Sequence, residues 1–316
     1  MGKSFSIVCI GGMNIDRKFY VKSSLQYETS NPVTSSYSVG GVSRNIAENL
    51  GRLGNNVTLI SVSGKDGDWN IIRERSSAYM DLSYVEQRDE VSTGSYTAVL
   101  DSAGDLAIAL ADMDVFDSIT PSLLRKHEEL LLSADCLVID LNCPLETVDF
   151  VFQFGKERDI PVIIIPVSSP KMDRLPRDLS GLSWLIVNRD ETETFFNHPI
   201  KNKADWKKSV DKWLQLGIEN VIVTNGKKGV MAASKERGLV YFPSVPTSNV
   251  VDVTGAGDSF CSAVIHMWLS GYSFEETVQA GMVNAHRTIL SEYTVRLDLS
   301  REQLLKDMRE LNRRNL

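Results

Sequence analysis

The chain has 316 residues, 42% of them hydrophobic and 24% charged, which suits one large α/β domain or two modest ones. Its net charge of −7 argues against nonspecific nucleic-acid binding, and no apolar run approaches the roughly 18–20 residues of a membrane span. Cys9, Cys136, Cys143 and Cys261 show neither disulfide nor metal spacing and the His residues are scattered, so neither a disulfide scaffold nor a zinc site is indicated.

Met1-Gly2-Lys3-Ser4-Phe5-Ser6 fits the loose myristoylation pattern, but Phe5 to Ile10 reads as a buried first strand that would hold Gly2 close to the fold. That strand ends at Gly11-Gly12, followed at once by Asn14 and Asp16. An amide and a carboxylate bind vicinal hydroxyls well; a plain polar turn is the alternative. Residues 17–38 read as an excursion from the core. Gly40-Gly41-Val42-Ser43-Arg44-Asn45 then opens a helix with Ile46, Leu50 and Leu53 on one face, ending at Gly54. Val57 to Val62 is a strand, and residues 69–86 look mostly helical with weak period. Ser95 to Leu100 and Leu106 to Leu110 form a hairpin that pairs with the first excursion in a small sheet.

Thr120-Pro121 caps a helix to about Leu132. Leu137 to Asp140 is a strand, Pro144 opens a helix, and Pro161 to Ile165 and Trp184 to Val187 are strands. Lys203 to Leu216 is a helix closed by Gly217, Asn220 to Thr224 a strand, and Gly229 to Ala233 with Leu239 to Phe242 an antiparallel pair. Val251 to Gly271 places Asp252 and Asp258 around a Gly-Ala-Gly turn before an apolar helix, with Phe260, Val264, Met267 and Trp268 as its buried face. Ser273 to Glu276 is a capping box for a helix to about Leu290, and a terminal helix spans Leu299 to Asn312, with Arg313-Arg314 a solvated end. The alternation predicts a mostly parallel sheet with helices on both faces.

Three places carry chemistry. The N–H groups from Gly255 to Asp258 sit at a helix N-terminus, a geometry that binds anions. A carboxylate beside such a site suits a general base that deprotonates a hydroxyl attacking a phosphate; a tight loop with a capping Asp is the alternative. Asn188-Arg189-Asp190-Glu191 follows a strand and can hold Mg²⁺ beside phosphates or simply start a helix. Thr224-Asn225-Gly226-Lys227-Lys228-Gly229 follows another strand and suits a nucleotide's phosphates, without the spacing of a P-loop or a dinucleotide fingerprint.

Five segments, Gly11 to Asp16, Gly40 to Asn45, Asn188 to Glu191, Thr224 to Gly229 and Asp252 to Asp258, resemble in order the motifs of the ribokinase-like (PfkB) carbohydrate and nucleoside kinases. The resemblance implies a three-layer α/β sandwich with a mostly parallel central sheet and a small β-sheet lid, in one domain over 1–316 with lid excursions at about 15–39 and 93–111. It implies Asp258 as base, with Gly255, Ala256 and Gly257 in the anion hole, and Asn14, Asp16, Gly40, Gly41 and Asn45 facing the sugar. By the same resemblance Asn188 and Glu191 would organise Mg²⁺, and Thr224, Gly226 and Gly229 would line the ATP site. Asp252 and Thr254 match positions that bind a monovalent cation, usually K⁺, with a loop near 289–298. Ser30-Asn31-Pro32, Gly41 to Ala47, Asp112-Met113, Val167-Ser168 with Lys171, and Ser291 to Thr294 resemble the pseudouridine-phosphorylating branch, where Asp112 and Lys171 would read the base. Trp69 and Ile165 depart from the family's usual Gly and Asp. Asn284 lies near the usual adenine-facing helix. The implied partners are ATP and a small nucleoside or sugar, with no nucleic acid or membrane, in a cytoplasmic protein that forms a homodimer if lid edges pair. Two other readings fit: a sibling kinase of ribose, another nucleoside or a hexose, and a non-catalytic nucleoside sensor, against which the intact Asp258 and Gly-Ala-Gly argue.

Overall fold

The computed structural model describes residues 3–247 and 249–314, the last three as backbone alone. The Met1-Gly2 lipidation pattern and the Arg313 and Arg314 side chains lie outside the described residues, whereas Phe5 is buried just before the first strand.

In chain order, β1 (Ser6–Ile10) is followed by β2 (Asn14–Val21), β3 (Val33–Gly40), α1 (Val42–Arg52), β4 (Asn56–Gly64), α2 (Gly67–Ser76) and β5 (Val85–Arg88). Next come β6 (Ser95–Leu100), β7 (Leu106–Asp112), α3 (Pro121–Arg125), α4 (Glu128–Leu132), β8 (Cys136–Asp140), α5 (Leu145–Glu157) and β9 (Val162–Ile165). The remainder is β10 (Trp184–Asn188), α6 (Arg189–Phe196), α7 (Lys203–Gln215), β11 (Asn220–Thr224), β12 (Val230–Ser234), β13 (Gly238–Phe242), α8 (Ala256–Leu269), α9 (Phe274–Thr288) and α10 (Arg301–Arg314).

Nine strands form the central sheet in the order β13-β12-β11-β10-β9-β8-β1-β4-β5. Pairing is parallel from β11 to β5 and antiparallel only at the β12 and β13 edge. The interior strands are almost unbroken Val, Ile and Leu, as a sheet covered on both faces requires. The excursions expected at either end of the first half form one separate sheet, β3-β2-β6-β7, with β2 and β6 parallel and Ile15 opposite Ser95. All four cysteines are buried free thiols. No helix among the described residues is long and apolar enough to cross a membrane.

Three local expectations change. The stretch expected to be helical over 69–86 is α2 followed by the short strand β5, whose four residues are too few for alternation to show. The helix expected from Pro121 to Leu132 is broken into α3 and α4, and the break seats the His127 ring edge-on against Tyr84 at 5.0 Å. The helix after the Gly-Ala-Gly turn is buried nearly all round from Ser259 to Met267, because α1 and α9 both pack on it. Cys261 and Ile265 on one flank of the face the period picks out, and Ala263 on the other, are buried as well.

β1 lies between β4 and β8, so the chain steps outward on one side and returns on the other. Such a switch point opens a crevice beyond the carboxyl ends of the strands. Asp140, the last residue of β8, ties that crevice together. Its fully buried carboxylate accepts from Gly12 N–H (2.9 Å), Ser43 N–H (3.0 Å), the Ser43 hydroxyl (2.7 Å) and Asn142 N–H (2.9 Å). One side chain thereby fixes the end of β1, the start of α1 and the turn after β8. Asp140→Ala would orphan several buried donors at about 1–3 kcal/mol each. It is expected to lower the unfolding free energy by about 3 kcal/mol or more, read from urea denaturation; a loss below about 1 kcal/mol would contradict this role.

Candidate active site

The hydroxyl-binding candidates and the candidate base meet at the carboxyl end of β1. Asn14 Nδ2 donates to Asp16 Oδ1 at 2.7 Å, and Gly40 abuts the Asp16 carboxylate so closely that a Cβ would collide with it. Gly41 caps α1 with φ 96°, and a side chain there would strike the backbone of Gly12 and Met13. Asn45, in the first turn of α1, donates from Nδ2 to Asp258 Oδ2 at 2.7 Å. Burial raises Asp16 above the ordinary aspartate value, against the donation from Asn14 and the positive charges of Arg44 and Lys18.

Asp258 lies in the first turn of α8, partly exposed at the head of an otherwise buried helix. Gly255 caps that helix in the left-handed region at φ 79°, where a Cβ would collide with the carbonyl of Thr294. The N–H groups of Gly257 and Asp258 have no acceptor among the described residues. Ala256 differs from expectation: its N–H turns back to the Val253 carbonyl at 3.3 Å. Burial pushes the Asp258 carboxyl up to about 7; the Asn45 amide and Arg44 act against this, Asp140 and Asp16 with it. A carboxyl poised there exchanges protons near neutrality.

The two phosphate-side motifs stand side by side, because Asn188 at the end of β10 is the register partner of Thr224 at the end of β11. Asn188 and Glu191 form a reciprocal capping box: Asn188 Oδ1 accepts from Glu191 N–H at 2.8 Å, and Asn188 N–H donates to Glu191 Oε2 at 2.7 Å. Burial drives Glu191 up to about 7. Its Oε1 has no partner among the described residues, which fits a carboxylate available to a hydrated Mg²⁺ alongside phosphates. Gly226 is open to solvent, and Gly229 packs against the Phe242 carbonyl. Cys261, one turn into α8, feels the charges of both Asp258 and Glu191, so the two carboxylates flank the same helix end.

Asp252, expected with Thr254 to meet a monovalent cation, has donors from within the chain. Its Oδ1 accepts from Thr254 N–H (2.9 Å) and Oγ1 (2.7 Å), while Oδ2 pairs with Lys18 Nζ of β2 at 2.9 Å. Despite a burial penalty, these donors bring Asp252 below its ordinary value. The ammonium of the smaller sheet thus already supplies a positive charge to this carboxylate. Among the described residues no cluster of three or more His, Cys, Asp or Glu exists that would hold a metal alone.

Asp112 and Lys171 are not brought into hydrogen-bond contact with this group. Asp112 is exposed at the end of edge strand β7 opposite Ser95, and Lys171 is half-buried in the 3₁₀ turn Ser169–Arg174, close enough for its charge to reach Cys143. Val167, just before that turn, sits at φ 71° as Ser168 N–H closes back on the Pro166 carbonyl at 2.8 Å. A β-branched residue held there costs about 1–3 kcal/mol, strain that concentrates at ligand sites. Asn284 is fully buried and bonded to Asn49, the Ser259 carbonyl and Arg296, so it does not face a ligand. Trp69 fills the main core, and Ile165 is a buried partner of Asp140 in the β8–β9 ladder.

The sequence reading passed over Arg44, Glu48, Lys18 and Asp140. The Arg44, Glu48, Arg52 spacing of four was a legible signal of paired charges on one helix stripe. A cavity of about 560 Å³ is lined by Tyr37, Arg44, Glu48 and Tyr293 among others, and Asp258 is not part of its lining.

Comparison with known proteins places the chain in a family and agrees with the fold. The model of the pfkB family carbohydrate kinases matches residues 4–298. The chain is 31% identical to the pseudouridine kinase of Escherichia coli (strain K12) over 297 residues, 93% of each protein. It is 26% identical to the ribokinase of Staphylococcus aureus (strain COL), covering 82% of this chain and 84% of that one. The solved structure of Arabidopsis thaliana ribokinase complexed with ribose and ATP superposes with a TM-score of 0.85 at 20% identity, covering 97% of this chain and 99% of that one. With a family match over nearly its whole length and the family's motifs gathered at one crevice, the chain belongs to the pfkB family of carbohydrate kinases, phosphotransferases with an alcohol group as acceptor.

Proposed function

We propose that this kinase transfers the γ-phosphate of ATP to the 5′-hydroxyl of pseudouridine, with Asp258 as general base. The observation that carries the reading is the 2.7 Å bond from Asn45 to Asp258, which sets a hydroxyl-binding motif against a carboxyl lifted to about 7. The hydroxyl donates its proton to Asp258 as it attacks. The free N–H groups of Gly257 and Asp258, with the dipole of α8, steady the transferring phosphoryl group. Gly255 shapes that turn, and Ala256 contributes backbone rather than an N–H. Asn14 and Asp16 hold ring hydroxyls, and Gly40, Gly41 and Asn45 let the sugar approach. Thr224, Gly226 and Gly229 cradle the nucleotide. Glu191, oriented by Asn188, would hold Mg²⁺, which would supply positive charge to the phosphate oxygens. A monovalent cation at Asp252 and Thr254 would have to share the carboxylate with Lys18. Asp112 and Lys171 reach the base when the smaller sheet closes over the crevice as a lid. Support for pseudouridine comes from the bacterial pseudouridine kinase relative. Likeness to a ribokinase keeps sugars in view.

A panel of pseudouridine, uridine, inosine, ribose and a hexose with ATP is expected to give pseudouridine the highest kcat/KM, by about tenfold or more over uridine. A preference for free ribose would overturn the substrate assignment while leaving the kinase reading intact; ligand-induced thermal stabilisation without turnover would favour a sensor. Asp258→Asn is expected to lower kcat by about 10²–10⁴-fold with ATP affinity nearly unchanged, and wild-type turnover would remove Asp258 as base. The same variant has a stability signature. Asp258 is raised in the folded state, so the native chain keeps a proton that the unfolded chain releases between about 4 and about 7. Native stability therefore falls as pH rises through that window. Asp258→Asn should melt higher than wild type at pH 8, with the gain vanishing towards pH 4; an equal or lower melting point at pH 8 contradicts the burial penalty.

A further inference from the structure

We propose that Arg44 is a positioning residue for Asp258, acting through Asn45: its guanidinium dictates which end of the Asn45 amide faces the carboxylate. The inference rests on Asp258 being the base. A guanidinium has donors and no acceptor, so the Asn45 end that meets it must be the oxygen. Arg44 Nη2 donates to Asn45 Oδ1, which turns Nδ2 towards Asp258 Oδ2 at 2.7 Å. A flipped amide would point its oxygen at the carboxylate and its NH₂ at the guanidinium, unfavourable at both ends. With Oδ2 committed to Asn45, Oδ1 of Asp258 is left for the substrate hydroxyl, and the carboxyl plane is set before substrate arrives.

Arg44 is itself held. Its Nη1 donates to Glu48 Oε2 at 2.6 Å, and Glu48 Oε1 accepts from Arg52 Nε at 2.8 Å. Arg52 donates from Nη1 to the Leu297 carbonyl at 3.0 Å and lies over the Tyr79 ring, 4.0 Å from its centroid. Arg44, Glu48 and Arg52 thus form a stripe along α1 that ends on Asn45. Arg44 is 2% exposed and Glu48 6%, and Arg44 Nε has no partner. Burying an ion pair is a poor way to gain stability, since apolar side chains of the same volume do as well or better. The stripe is better explained by what it orients. The α1 backbone does not need it: Asn45 N–H bonds the Gly41 carbonyl at 2.8 Å, and Asn49 Nδ2 the Asn45 carbonyl at 2.9 Å. Asp258 also feels Asp16 from β2 and Asp140 from β8, both negative, so Arg44 is the cation that opposes them.

A double-mutant cycle between Arg44 and Asn45 tests this. Arg44→Met is expected to lower kcat about 10- to 100-fold, with the KM for ATP within about twofold of wild type. In an Asn45→Ala background the same substitution should change kcat by less than about twofold, because the path to Asp258 is already cut. An equal fold-loss in both backgrounds, or a wild-type kcat for Arg44→Met, overturns the proposal. If Arg44→Met is not recovered folded, Arg44→Lys carries the same cycle: it keeps the charge but lacks the fork that spans Glu48 and Asn45. Asp258→Asn separates the two levels. Full turnover in that variant removes the base assignment, whereas an inactive Asp258→Asn with an additive cycle removes only the role of Arg44.

Discussion

The hydrogen bond from Asn45 to Asp258 joins two helix N-termini that the chain keeps more than two hundred residues apart. α1 begins where the glycine pair after β3 lets the backbone turn, and α8 begins where Gly255 turns against Thr294. Each start is pinned from elsewhere, α1 by Asp140 through Ser43 and α8 by its burial between α1 and α9. The contact therefore reports whether the central sheet, the glycine turns and the buried helix are all in register. A slip of one residue in β1 or β8 would move Gly12 or Asp140 and break it.

Electrostatically the crevice is a crowd of carboxylates. Asp16, Asp140, Glu191 and Asp258 are all raised, each with burial as the main cause. Arg44 and Lys18 are the cations set among them, one from α1 and one from the smaller sheet. Such a site opposes folding at neutral pH and is suited to receiving cations and giving up or taking protons. The Lys18–Asp252 pair has a second consequence: it ties a strand of the smaller sheet to the turn that carries Asp258. Sheet position and the anion turn are therefore mechanically linked.

Much of this was legible from residues alone. The parallel strands announce themselves as short Val, Ile and Leu runs, and the motifs sit at their carboxyl ends as the crevice rule requires. The small sheet was visible because its hairpin and its polar excursion alternate. What was not legible has physical causes. β5 is too short to show a period, and the buried residues of α8 include Ser259, Ser262 and His266, polar types that no pattern marks for burial. Ala256 N–H is lost to a local turn bond that spacing does not reveal. The partners of Asp252 and Asp258, Lys18 and Asn45, are remote in sequence, and pairing across such a distance is set by packing. Arg44 was passed over because it stands inside a glycine motif read for its backbone, and spacing does not show that the fold buries its charge.

The central claim is that a carboxyl held near neutrality by burial, and fixed by Asn45, takes the substrate proton. The pH dependence of kcat/KM for the preferred substrate tests it most directly. The account predicts a rise as pH increases through about 7, one proton lost per active site, then a plateau. A profile flat from about pH 5 to pH 8 would place the ordinary aspartate range, not a raised one, at Asp258 and contradict the account.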